Sequence, residues 1–214
     1  MAKPATLQRP IPPADLVDLN SLAMPDRFVP APDVREWIEN AFLYDDAPLH
    51  NPDHRHLMDA ELGIVWTNSD NVRNMRVVLG QAELMPPMAM GKWARARACQ
   101  QIEEWFGSMP DFLLTFSAPA AAGMDDASFC ALVEHELYHC AQNVDVYGMP
   151  KFKNDGTPSF GIRGHDVEEF VGVVARYGAS AAGVMPMVEA AQRAPLIGAA
   201  SIAGVCGTCL RLVA

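Results

Sequence analysis

The feature that most limits how this chain can fold is the stretch over residues 125–143, which must form a helix with two unlike sides. Asp125, Asp126 and Ser128 supply an N-terminus, with acidic side chains where the helix dipole favours them. Phe129, Val133, Leu137 and Cys140 recur at helical spacing and make one apolar stripe. That stripe needs a second layer to cover it. His135, Glu136 and His139 border it. Residues four apart differ by about 40° around a helix axis, so His135 and His139 project from one face, a turn apart. The helix is therefore expected to lie on a core while keeping an open space beside its imidazoles.

Read as His-Glu-x-x-His, the same residues point to a metal. Two neutral imidazoles a turn apart can share one ion. Glu136, about 100° round from His135 and about 60° from His139, can reach a bound water without taking a coordination position. Zn²⁺ held this way keeps a position open and lowers the pKa of its water to about 7. A carboxylate then takes the proton and later delivers it to the leaving amine. Such a site needs a third protein ligand. The best segment spans residues 164–174, expected as part of a helix over 166–177. Val167, Phe170, Val171 and Val174 would form its core stripe, with His165, Glu169, Gly172 and Arg176 opposite. His165 is the expected third ligand, Glu168 its rival and Glu169 the third choice. Glu169 is otherwise expected to orient an imidazole from behind.

The rest of the chain supplies the layers. Seven of the 17 prolines fall in the first 33 residues, so residues 1–31 read as an extended arm. A helix begins at Pro32-Asp33 and places Trp37, Ile38, Ala41 and Phe42 at helical spacing. Residues 61–66, 76–83 and 111–117 read as strands. Residues 94–106 form an amphipathic helix with Ala98, Ile102, Trp105 and Phe106 on one side. The Ala/Gly run over 119–123 reads as a loop, and residues 151–161 as a hairpin turning at Asp155-Gly156. Helices and strands mix without a regular βαβ order, which predicts an α+β fold. The expected organisation is an arm over 1–31, a domain over 32–178 and a small-residue helical segment over 179–214 packed on the domain.

Composition excludes several roles. Twenty-six acidic against 16 basic residues give a formal charge of −10, which opposes a phosphate-backbone footprint and an anionic membrane surface. No nucleic-acid or membrane partner is therefore expected. The uncharged run over 194–210 is at the lower edge for a membrane span and is rich in small residues, so it reads as a packed helix. Pro4, Pro10, Pro12 and Pro13 interrupt any secretory apolar region, and five cysteines suit free thiols in the cytoplasm. Cys206 and Cys209 have Cys-x-x-Cys spacing but lack two further ligands, so a packed helix end is expected. His50, His54 and His56 cluster with Asp53 in what reads as a solvated or hydrogen-bonded loop. Tyr138 is assigned to packing. Arg163 and Arg176 either offset charge near Glu169 or bind a substrate carboxylate.

Three blocks together resemble the phage metallopeptidase family of the zincin superfamily. They are His-Glu-Leu-Tyr-His-Cys over 135–140, Tyr147-Gly148-x-Pro150-x-Phe152, and Arg163-Gly164-His165-Asp166-Val167-Glu168-Glu169-Phe170. The resemblance covers roughly residues 33–178. It implies a zincin-like core: a small twisted mixed sheet, a backing helix and the active-site helix. It also implies that residues 112–117 form the edge strand above the metal, where an extended peptide can pair. His135, Glu136 and His139 carry over directly, and His165 and Glu169 match the later block in residue type. No His-x-x-Gly-x-x-His continuation follows, with Gln142 and Asn143 standing nearby instead, which removes a metzincin reading.

The expected function is a zinc-dependent hydrolase, a metallopeptidase acting on a peptide or protein with Glu136 as base and then acid. The alternative is a catalytically silent, metal-stabilised binding or regulatory protein on the same fold. A protease acting on DNA-associated proteins is a third possibility, disfavoured by the acidic charge.

Overall fold

A computed structural model describes residues 8–17, 25–73, 76–167, 171–180 and 183–195. In chain order the elements begin with α1 (Ala14–Val17), β1 (Phe28–Pro30) and α2 (Pro32–Ile38). α2 continues into a π-helical turn, Glu39–Leu43, and a 3₁₀ helix, Pro52–Asp59, follows. Next come β2 (Leu62–Thr67), β3 (Val72–Arg73), β4 (Arg76–Val77), β5 (Gly80–Leu84), α3 (Lys92–Phe106) and β6 (Phe112–Ser117). The described chain ends with α4 (Ala118–Gly123), α5 (Asp126–His139), β7 (Cys140–Gln142), β8 (Phe160–Ile162), α6 (Val171–Tyr177) and α7 (Met185–Ala191). The fold is mixed α+β.

The main sheet has the order β1-β2-β6-β5. β1 runs antiparallel to β2, β2 parallel to β6, and β6 antiparallel to β5. Side-chain alternation sorts the two faces. Leu62, Ile64 and Trp66 of β2 and Phe112, Leu114 and Phe116 of β6 face the main core, with Phe129, Leu132, Val133 and Leu137 of α5. Val65 and Leu113 point the other way, against Ile102, Trp105 and Phe106 of α3. α3 is thus the backing helix, and β2 is buried along its whole length because both faces are covered. Gly63 permits that cover, since a Cβ there would lie 2.9 Å from the Phe106 ring.

The apolar stripe expected on α5 is real: Phe129, Val133, Leu137 and Cys140 are all fully buried. Phe129 ties the helix to the sheet, with ring centroids 5.5 Å from Trp37, 5.9 Å from Trp66 and 6.1 Å from Phe116. Asp125 caps the helix by accepting from the Ser128 backbone N–H at 2.8 Å. Trp37, Ile38, Ala41 and Phe42 are buried as their spacing predicts.

Several expectations are corrected. Residues 112–117 are not the edge strand: β6 is interior, between β2 and β5, and among the described residues β5 comes last in the order. Pairing decides this, and the burial agrees with it, since Phe112, Leu113, Leu114 and Phe116 of β6 are buried from both faces of the sheet. The strand expected over 76–83 is split, with β4 in a small hairpin with β3 and β5 starting at Gly80. The Ala/Gly run is helix α4, not a loop, because Ser117 caps it, Pro119 fits its first turn and alanine favours helix. α5 stops at His139 rather than 143, because Cys140 is extended and opens β7, which pairs with β8. The turn at Asp155-Gly156 stands, with Gly156 at φ +83°.

The helix expected over 166–177 is described only as Val171–Tyr177, and none of its residues is buried. The expected core stripe there fails, since Val171 is 84% exposed. Phe170, Glu168 and Glu169 lie outside the described residues. The described parts of segment 1–31 run against the domain. Leu16 enters the main core, β1 joins the sheet, and Arg9 donates to Asp126 and to the Ala121 and Met124 carbonyls. Cys206, Cys209 and the uncharged run from residue 196 onward lie outside the described residues. Among the described residues no helix is long and apolar enough to cross a membrane.

Candidate metal centre

His135 and His139 occupy the last two turns of α5, and His165 arrives on the segment that follows β8. His165 reaches the site from non-helical chain, not from the helix face expected for it. Its Nε2 and that of His139 each lie 3.2 Å from His135 Nε2. Ligand atoms of all three residues fall within 4.8 Å of one another. Two nitrogens each about 2.0–2.1 Å from a tetrahedral zinc ion stand about 3.3–3.4 Å apart, so this spacing fits a shared ion. The donor set, three imidazoles, also suits such a cation.

The tautomer of His139 follows from its surroundings. Its Nδ1 lies 2.6 Å from the Arg163 carbonyl oxygen. A carbonyl only accepts, so Nδ1 carries the proton and Nε2 presents its lone pair toward the other rings. The Arg163 backbone N–H in turn donates to the His139 carbonyl at 2.9 Å. The main chain of residue 163 thus orients His139; Glu169, the carboxylate expected to orient an imidazole, lies outside the described residues.

Glu136 follows His135 and is fully buried. Its side chain packs under β5: a Cβ on Gly80 would lie 3.0 Å from Glu136 Oε1 and 3.0 Å from Leu132 Cδ1. The glycine is what lets the sheet approach the carboxylate. Burial, and secondarily the Glu136 charge, push the neighbouring Cys140 thiol well above its ordinary value.

A cleft of about 480 Å³ opens beside the imidazoles. It is lined by His135, His139 and His165 together with Asp53, Tyr138, Arg163, Asp166 and Met187, and Glu136 is not among its lining residues. Tyr138, assigned to packing from sequence, is a wall of this cleft. Its hydroxyl donates to Asp53 Oδ2 at 3.0 Å and accepts from Asn51 Nδ2 at 2.9 Å. Burial raises its pKa above the ordinary phenol value and, with the hydrogen bond to Asp53, outweighs the opposing hydrogen bond from Asn51. Arg163 is paired with Asp166 and lies 6.0 Å over the Tyr138 ring.

Two other histidines, His54 and His56, pack beside the ligand helix and the strand that follows it. His54 is buried edge-on against Tyr138, with ring centroids 4.6 Å apart, and its Nε2 lies 3.7 Å from Glu134 Oε1. Beside His54, and with Asn51 donating to it, the Glu134 carboxyl is held below its ordinary value. The His56 ring nitrogen lies 2.7 Å from the Cys140 carbonyl. Within the loop expected around His50, His54 and His56, Pro52–Asp59 form a 3₁₀ helix that His54 braces against α5 and His56 against β7. Among the described residues, the group of three donors that could hold an ion is His135, His139 and His165.

A small mixed sheet, a backing helix on one face and a His-Glu-x-x-His helix on the other define a zincin-like metallopeptidase core. The chain matches the model of the family described as Putative phage metallopeptidase over residues 35–192, and it belongs to that family. No curated protein and no solved structure matches it.

Proposed function

We propose that this protein is a zinc-dependent peptidase in which His135, His139 and His165 hold the ion and Glu136 is the general base and then the general acid. The observation that carries this reading is that ligand nitrogens of three histidines lie within 4.8 Å of one another beside a cleft. A bound zinc ion would supply Lewis-acid polarisation of the scissile carbonyl and would acidify a water molecule.

The chain's own groups do the rest. The Arg163 carbonyl fixes the His139 tautomer, so that Nε2 faces the ion. Glu136 accepts the proton of the attacking water and returns it to the leaving amine. Its burial strengthens each charge interaction it makes. Glu169 keeps its assignment as an orienting carboxylate for an imidazole.

The test is metal analysis with activity. Wild type is expected to hold one zinc ion, His165→Ala to lose it, and Glu168→Ala to keep it. Glu136→Gln is expected to keep zinc and lose about 10²–10⁴-fold in peptide hydrolysis. Full hydrolysis by a zinc-loaded Glu136→Gln protein would remove Glu136 from the reaction.

One observation favours a second reading, a metal-stabilised binding or regulatory protein with a silent site. Glu136 is fully buried and does not line the cleft. Zinc-loaded wild type that binds peptides but cleaves none would support it.

A further inference from the structure

The cleft beside the three imidazoles has a charged wall that the hydrolytic roles do not use. Arg163 and Asp166 there pair with each other. Asp53, at the start of the 3₁₀ helix, is exposed, and no cation among the described residues pairs with it. Its carboxylate is nonetheless held in place. The Tyr138 hydroxyl donates to one oxygen at 3.0 Å, Asn51 Nδ2 donates to that hydroxyl at 2.9 Å, and the Asp53 backbone N–H donates to Asn51 Oδ1 at 3.0 Å. Tyr138 precedes His139 on α5, so this carboxylate is tied to the ligand helix itself.

We propose that Asp53, positioned by Tyr138, selects substrates that carry a cationic nitrogen next to the reacting bond. This rests on the peptidase reading given above. The physical case is charge placement. Three neutral imidazoles around a divalent ion leave their corner of the cleft positive, which repels an ammonium or guanidinium group. The same cleft is also lined by a fixed carboxylate, Asp53, with acceptor positions left over. A cationic group entering the cleft is therefore directed to Asp53 and away from the ion. The overall charge of −10 draws basic peptides toward the protein at long range but cannot choose a position within them. The cationic group has two chemical sources, a lysine or arginine side chain and a free N-terminal amine.

The test uses the full chain, zinc-loaded, and four versions of one fluorescent peptide: lysine or acetyl-lysine at a central position, each with a free or acetylated N-terminus. Binding is measured to the Glu136→Gln protein, so that affinity is read without turnover. An exposed carboxylate–cation contact favours the cationic version by about two- to fivefold. That preference is expected to vanish in Glu136→Gln/Asp53→Asn, which keeps the size of the side chain and a hydrogen bond to Tyr138. It is expected to shrink in Glu136→Gln/Tyr138→Phe. Preference for lysine over acetyl-lysine identifies a side-chain subsite, and preference for the free terminus an amino-terminal one. Zinc content equal in all variants shows that the site is intact. Equal affinity for cationic and neutral peptides overturns the proposal, as does a preference that survives Asp53→Asn, which assigns it to the general field. Turnover of the same peptides by wild type separates the two readings. Cleavage without charge preference sinks this inference alone, and preference without cleavage sinks the peptidase reading and leaves Asp53 as a cation-binding group of the cleft with no reacting bond beside it.

Discussion

Single residues set the geometry of the site through groups of quite different kinds. His139 is oriented by a main-chain carbonyl, so replacing the Arg163 side chain leaves that contact in place. Arg163→Ala is therefore expected to retain zinc while His139→Ala loses it, read by metal content after dialysis. Gly80 acts through what it lacks. Gly80→Val places methyl groups where Glu136 and Leu132 already stand, and is expected to cost about 1–3 kcal/mol in denaturant unfolding. Asp125 carries a pH dependence. The Ser128 backbone N–H and hydroxyl hold its carboxyl below the ordinary 3.8. A carboxyl lowered in the folded state stabilises above its unfolded value, and that contribution is lost as pH falls from 3.8 through the lower folded value. Asp125→Asn, which still caps, is expected to flatten the acid limb of a Tm-against-pH curve.

Among the elements, α5 does two jobs that pull its faces apart. One side buries Phe129, Leu132, Val133 and Leu137 on the sheet, and its C-terminal turns carry the proposed ligands. Phe129 joins Trp37, Trp66 and Phe116 in one aromatic cluster, so Phe129→Ala is expected to cost about 3–5 kcal/mol by chemical denaturation. The stripe that builds this packing was readable because spacing along a helix maps directly onto its faces. The valines of residues 167–174 carry the same period, yet Val171 is exposed. Periodicity shows that a helix has an apolar side, but whether anything covers that side depends on other parts of the chain. The strands behaved likewise: residues 61–66 and 111–117 were recognisable as strands, while their order in the sheet was set by pairing.

At the scale of the molecule, the proposed ion joins two parts of the chain. His135 and His139 belong to a helix packed in the main core, while His165 sits on the segment after β8. Binding to the folded state alone stabilises it, by about 2.7 kcal/mol when free zinc is a hundredfold above Kd. Zinc is therefore expected to raise Tm and a chelator to lower it, with no such shift in His135→Ala. Hydrogen exchange is expected to quicken on metal removal over residues 163–167 and to stay unchanged in β2 and β6, which both faces of the sheet protect.

The sequence by itself determined the helix that bears the motif, its buried stripe, the two central strands and the acidic character of the surface. Each of these is written in the spacing or kind of side chains within one segment. Only the tertiary structure decided that β6 lies inside the sheet between β2 and β5, that Tyr138 and Asp53 line the cleft, and that Glu136 rests against Gly80. It also decided the partner of His139, a carbonyl 24 residues away. Every residue offers that same carbonyl, so no choice of side chain at position 163 could announce the contact. Local periodicity records which face of a segment is apolar, but main-chain contacts between distant segments leave no mark in residue type.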